Sequence, residues 1–122
     1  MHQLPRITVA TVVEREGKFL MVKENFAGRL VYNQPAGHVE LNESLLDAAI
    51  RETLEETGWR VNLEQLLGIY QTTSPDNGIT YIRHCFIAKA MEPRTELDLA
   101  EGIFEATWVS LEELEQRETQ MR

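Results

Sequence analysis

The stretch from Asn42 to Gly58 limits the fold of this chain more than any other. Asn42 and Ser44 are residue types that cap helix N-termini, Gly58 is a stop signal, and Leu45, Ala48, Ala49, Ile50 and Leu54 recur between them at helical spacing. The pattern predicts a helix from about Ser44 to Thr57 with one apolar face against a core. Glu52, Glu55 and Glu56 stand at i, i+3 and i+4, so their Cβ atoms share a face within about 6 Å. Each like-charged helical pair costs about 0.2–0.5 kcal/mol in water. A divalent cation between the oxygens reverses that sign. Magnesium, with manganese as a substitute, suits such a cluster, because it prefers hard oxygen ligands and bridges readily to phosphates. Taken alone, three acids on a helix are more often a solvated face, so the surroundings decide.

Around the helix the pattern changes to period two. Ile7 to Val13 and Lys18 to Lys23 read as a hairpin about a Glu14–Gly17 turn, Asn25 to Arg29 as a loop, and Leu30 to Tyr32 as a short strand entering Gln34-Pro35-Ala36-Gly37. Val61 to Gln71 and Ile79 to Ala90 read as strands about a Ser74–Gly78 turn, Glu92 to Glu101 as a loop, and Phe104 to Val109 as a last strand. Ser110 then caps a final helix beginning near Leu111. With strands on both sides of the central helix and no repeat or linker, the expectation is one α+β or mixed α/β domain over residues 1–122.

Composition narrows the partners. Acidic residues outnumber basic ones 20 to 12, and a net charge of -8 disfavours a broad grip on nucleic acid or an anionic membrane. No run approaches the roughly 20 apolar residues of a membrane span. The single Cys85 has no partner for an internal disulfide, which with the absence of a signal-peptide run points to a reducing cytosolic setting. His2, His38 and His84 are scattered, so zinc is poorly supported. His84 and Cys85 are expected in a core, the histidine with its hydrogen bonds satisfied.

The order Gly37, Glu43, Arg51-Glu52, Glu55-Glu56, Gly58 resembles the Nudix box, whose 23 residues fall here on Gly37 to Trp59 with every fixed position present. The pattern usually has aliphatic residues where this chain has Thr53 and Trp59, and Pro-Gly-Gly where it has Pro35-Ala36-Gly37. The early hairpin and the Trp108-Val109-Ser110 element also resemble Nudix flanks. The resemblance implies an α/β/α sandwich with a mixed sheet between helices. It further implies Glu52, Glu55 and Glu56 as metal ligands, Glu52 also helping to activate water, and the Gly37 carbonyl completing the shell. Glu43 and Arg51 become structural supports, and Glu101, in the loop before the last strand, the general base. The activity implied is metal-dependent cleavage of a phosphoanhydride bond in a small diphosphate or triphosphate. Among Lys18, Lys23, Arg29 and Arg83, each as readily an ordinary surface charge, Lys23 and Arg83 are the candidate phosphate contacts. Among Phe26, Tyr32 and Tyr70, Tyr32 is the candidate for stacking on a base, being five residues before Gly37.

The string Val31-Tyr32-Asn33-Gln34-Pro35-Ala36-Gly37-His38 is similar to the phosphatase NudJ group within that family, as are Thr8-Val9-Ala10 and Gly17-Lys18-Phe19-Leu20. That group implies hydrolysis of a thiamine-precursor pyrimidine diphosphate and of nucleoside di- and triphosphates, with release of orthophosphate. Its members continue past the final helix, which leaves open a chain truncated at Arg122, with part of a pocket or dimer contact beyond it. Monomer and homodimer both remain open. An ADP-ribose or dinucleoside polyphosphate hydrolase is the alternative within the family. A non-catalytic nucleotide-binding module, in which box glutamates tend to be missing, and a structural protein with an acidic helix are the alternatives outside enzymes.

Overall fold

The computed structural model describes residues 4–26, 28–93 and 103–116. Seven strands run in chain order as β1 (Arg6–Arg15), β2 (Lys18–Phe26), β3 (Arg29–Asn33), β4 (Ala36–His38), β5 (Trp59–Thr73), β6 (Thr80–Pro93) and β7 (Ile103–Ser110). Helix α1 (Leu45–Thr57) lies between β4 and β5, and the short α2 (Leu111–Gln116) follows β7. The sheet order is β3-β2-β1-β6-β5, with β7 on β2 and β4 on β1. It is mixed: β1 and β6 are parallel over Arg6–Val13 and Tyr81–Ala88, and the other pairs are antiparallel.

One edge of β1 carries β6, while its other edge is divided between β4 at Thr8–Ala10 and β2 at Glu14–Arg15. The sheet therefore forks at β1, and α1 packs beside the fork. Val9, Val13 and Leu20 supply the apolar surface beneath α1, where Ala48, Ala49 and Ile50 meet them. Strand alternation turns Phe19 and Met21 to the opposite face, where Leu114 of α2 packs. Helices thus cover both faces of a mixed sheet, which is the expected α/β/α class.

The buried residues of α1 are Ala48, Ala49, Thr53 and Thr57, all small, so the helix approaches the sheet closely. Thr53 is 1 % exposed and its hydroxyl shares a 2.8 Å hydrogen bond with that of Thr11 on β1. A buried hydroxyl pair replaces the aliphatic contact usual at this position. Trp59, the other departure from the pattern, stands edge-on to Trp108 at 5.5 Å, and the Arg15 guanidinium lies 4.8 Å from the Trp59 ring. Arg15 also donates to the Ala90 carbonyl at 3.0 Å.

The capping signals resolve unequally. Ser44 is the N-cap, accepting from the Asp47 N–H at 3.0 Å, whereas Asn42 sits in a left-handed turn before it with φ 65°. Gly58 closes the helix at φ 76°, a conformation glycine takes without Cβ strain, and its N–H reaches the Leu54 carbonyl at 2.8 Å. The expected loop from Asn25 to Arg29 is shorter than predicted: Asn25 and Phe26 belong to β2 and Arg29 to β3, paired with each other, and Gly28 lies in a turn before β3. Backbone pairing there outweighs the weak strand propensity of Asn25 and Arg29. No described helix is long and apolar enough to cross a membrane.

Candidate active site

β4 has one edge on β1 and the other on α1. The Thr11 N–H reaches the Pro35 carbonyl and the Val39 N–H reaches the Ile7 carbonyl, so Pro35, Gly37 and Val39 turn their backbone groups toward β1. Ala36 and His38 turn theirs outward, where side chains of α1 stand in for a neighbouring strand. The Ala36 N–H donates to Glu56 at 2.9 Å, and the His38 carbonyl accepts from Arg51 at 3.0 Å. By the same alternation the carbonyl on the glutamate side is that of Ala36 and not of Gly37. Gly37 has a different part: a Cβ there would fall on the Glu52 carboxylate. Only glycine leaves that space open.

Arg51 organises the helix wall. Its Nε and one terminal nitrogen form a bidentate pair with Glu43 at 2.7 and 3.0 Å, and its other terminal nitrogen reaches Glu52 at 2.7 Å and Glu55 at 3.1 Å. With the bond to His38, all five guanidinium N–H groups have acceptors. The fork ties the loop carrying Glu43, the strand carrying His38 and the helix into one unit, because a planar guanidinium holds several directions at once. The bond from Arg51 holds the Glu43 carboxyl below its ordinary range, and Glu43 in turn raises Arg51.

Glu52 and Glu56 are half-buried and line a cavity of about 930 Å³. Burial pushes the Glu52 carboxyl up. Burial pushes Glu56 further, to about 7, helped by the charges of Glu52, Glu24 and Glu55 and opposed by the Ala36 N–H. Glu55 is half-exposed and lines neither this cavity nor the smaller one of about 420 Å³ beside it. Among the described residues, no three His, Cys, Asp or Glu side chains converge in a ligating arrangement. Arg51 draws Glu52 and Glu55 aside, and Glu56 holds the Ala36 N–H. The donor set nonetheless fits a hard divalent cation: carboxylate oxygens on one helix face, raised by crowding and burial, beside a glycine cradle with room for Glu52.

The other predicted residues are placed unequally. Arg83 lines both cavities and Tyr32 the smaller one. Lys23 lines neither; it pairs across the hairpin with Tyr32, and its ammonium lies 5.5 Å from that ring. Glu101 lies outside the described residues. Cys85 is buried and accepts from the Gln34 amide at 3.4 Å, whereas the buried Nδ1 of His84 has no hydrogen-bond partner among the described residues, unlike the satisfied histidine expected. Sequence reading missed Glu24, which holds Asn33 at 2.8 Å and adds charge near Glu56. Continuing the alternation of Leu20 and Val22 by one step would have found it. It also missed Thr8 and Tyr81 and ranked Tyr70 behind Tyr32; strand pairing brings all three of Thr8, Tyr70 and Tyr81 to the larger cavity.

The NUDIX domain profile matches residues 4–122. The chain belongs to the Nudix family. Phosphatase NudJ of Escherichia coli K12 is 38% identical over 110 residues, which covers 90% of this chain and 71% of that protein. A Nudix hydrolase from Nitrosomonas europaea superposes with a TM-score of 0.92 at 39% identity, covering 98% of this chain and 81% of that one. A MutT Nudix hydrolase from Burkholderia pseudomallei superposes at 0.75 with 26% identity, over 92% of this chain and 88% of its own. The chain is accordingly an enzyme, a hydrolase of the Nudix type.

Proposed function

We propose that this Nudix hydrolase cleaves a phosphoanhydride bond of nucleoside di- or triphosphates, or of the thiamine-precursor pyrimidine diphosphate, with magnesium as cofactor and manganese as substitute. The observation that carries this reading is the helix wall. Glu52 and Glu56 face the cavity, fixed by Arg51, Glu43 and the Ala36 N–H, with Gly37 giving Glu52 its space. Likeness to the NudJ phosphatase supports the substrate class.

Glu52 and Glu56, with Glu55 and the Ala36 carbonyl, would hold the cation, which supplies charge neutralisation of phosphate oxygens and acidifies a bound water. Glu52 orients the attacking water, and Glu101 is the proposed acceptor of its proton. The water oxygen bonds to phosphorus, and the bridging P–O bond breaks with its electron pair on the departing oxygen. Glu43 and Arg51 act only through the helix they position. Tyr32 and Arg83 remain substrate contacts in this reading; Lys23 lines neither cavity, and its ammonium lies beside the Tyr32 ring. The chain is read as one domain, and its unpaired Cys85 is in keeping with a reducing cytosolic setting.

The test is phosphate and pyrophosphate release, with and without magnesium, across pyrimidine diphosphates, nucleoside di- and triphosphates, ADP-ribose and dinucleoside polyphosphates. Magnesium-dependent orthophosphate release from the first two classes is expected. Turnover confined to ADP-ribose or dinucleotides would overturn the substrate class.

A further inference from the structure

β5 is the last strand of the sheet, and its outer edge has no strand beside it among the described residues. Its two halves treat that edge differently. The first half carries Arg60 and Glu64 and pairs with β6 through register shifts at Arg60/Val61, Leu63/Gln65 and Leu66/Gly68. Charges and bulges of this kind keep an edge from pairing with another chain. The second half has neither. Gly68 to Thr73 pairs residue for residue with Cys85 to Thr80, and the Thr73 and Thr80 hydroxyls share a 2.8 Å hydrogen bond that closes its end. From Gln65 to Pro75 no side chain is charged, in a chain where 26% of residues are. Leu66, Leu67, Ile69 and Tyr70 are about half exposed, Ile69 at 57 %. A flat, uncharged edge with exposed apolar side chains is a template for strand addition.

We propose that the Gly68–Thr73 edge is a dimer interface, taken by the same edge of a second copy running antiparallel, so that one sheet continues through both molecules. The contact is isologous, each copy offering the other the same β-branched and aromatic side chains. Charge selects this occupant. Two copies of net charge -8 repel where acidic surfaces meet, and the uncharged strip lets them approach with no like charges opposed. A foreign strand is recognised along an edge by pockets or charges, and the strip has no charge to offer one. Opposite residues of an antiparallel pair share a face, so the twofold axis passes at Tyr70 or Gln71, the central residues of the regular stretch. Either places the second copy's Tyr70 beside Tyr70 or Thr72, which line the larger cavity on its sheet wall, opposite the glutamates. So short a contact buries less than the roughly 800 Å² per partner of a standard interface, and the dimer is a weak one with Kd about 10–100 µM.

The test is sedimentation velocity of the full chain from low micromolar to sub-millimolar concentration, beside oxidative crosslinking of single cysteine variants. Wild type is expected to pass from monomer to dimer across that range. Ile69→Lys puts a charge on the edge, on the face turned away from the cavity, and should raise Kd at least about tenfold at near-normal circular dichroism. Tyr70→Cys and Gln71→Cys test the same contact without adding a charge. The residue on the axis meets its own copy at about 4.5–5.5 Å between Cα atoms, within disulfide reach, so one of the two should give a disulfide-linked dimer. Glu64→Cys, off the axis, should not, and the native Cys85 is buried. A wild type monomeric at every concentration, as an edge kept for a foreign strand would give, overturns the proposal. So does a dimer that Ile69→Lys leaves intact and neither axial cysteine crosslinks, because its contact lies elsewhere.

Discussion

The two walls of the cavity solve opposite problems. On the helix wall, Glu43, Glu52, Glu55 and Glu56 are each bound by an Arg51 N–H or the Ala36 N–H, and the geometry is fixed before any ligand arrives. On the sheet wall, among the described residues, the Thr8 hydroxyl has no hydrogen-bond partner, and Arg83, beside it in register, is exposed. A wall that must hold charged groups in a set geometry needs internal bonds, and a wall that must grip an incoming ligand needs groups left over. Substitutions on the first should therefore alter rate or stability, and on the second affinity.

The largest effect expected on the helix wall is from Glu52→Gln, which should lower kcat roughly a hundredfold or more at near-normal Tm. A KM change alone would merge the two walls. Gly37→Ala comes next, at about tenfold in rate: the new Cβ displaces the Glu52 side chain from Cγ outward and meets no backbone, so circular dichroism and Tm should move little. Arg51→Ala should cost about 1–3 kcal/mol in denaturant unfolding as well as rate, because it strips Glu43, Glu52 and the His38 carbonyl together. Arg51→Lys should fall between, keeping charge without the fork.

The smallest effects are those read in stability. Thr53→Val should cost about 1 kcal/mol by orphaning Thr11, and adding Thr11→Val should recover most of it. For Glu56 the sign follows from its carboxyl being raised from 4.5 to about 7. The folded state holds that proton more tightly, so the contribution is full below pH 4.5 and lost as pH rises through about 7. Without divalent cation, Glu56→Gln does not titrate, so its Tm advantage over wild type should widen across that window. A gap constant with pH would contradict the crowding of Glu56.

The helix wall was largely legible in the sequence because it is local. Ser44, Gly58 and the glutamate spacing lie within one helix, and Gly37 and Glu43 are only a turn or loop away. What the sequence hid there were replacements, such as the Thr11–Thr53 hydroxyl pair and the Arg15, Trp59 and Trp108 stack, which join residues far apart in the chain. The carbonyl expected at Gly37 shifts to Ala36 because strand alternation, not motif position, decides which way a peptide faces. The sheet wall was legible only as isolated residues. Arg83 was visible as a cation, but its neighbour Thr8 depends on a parallel register between strands 75 positions apart, which no local pattern records.

The most direct test of the central claim is orthophosphate release from cytidine diphosphate by wild type and Glu56→Gln across a magnesium titration. The account predicts saturable magnesium activation of the wild type, and turnover in the variant lowered roughly a hundredfold that added magnesium does not restore. Wild-type turnover independent of magnesium, or a variant as active as wild type, would contradict it.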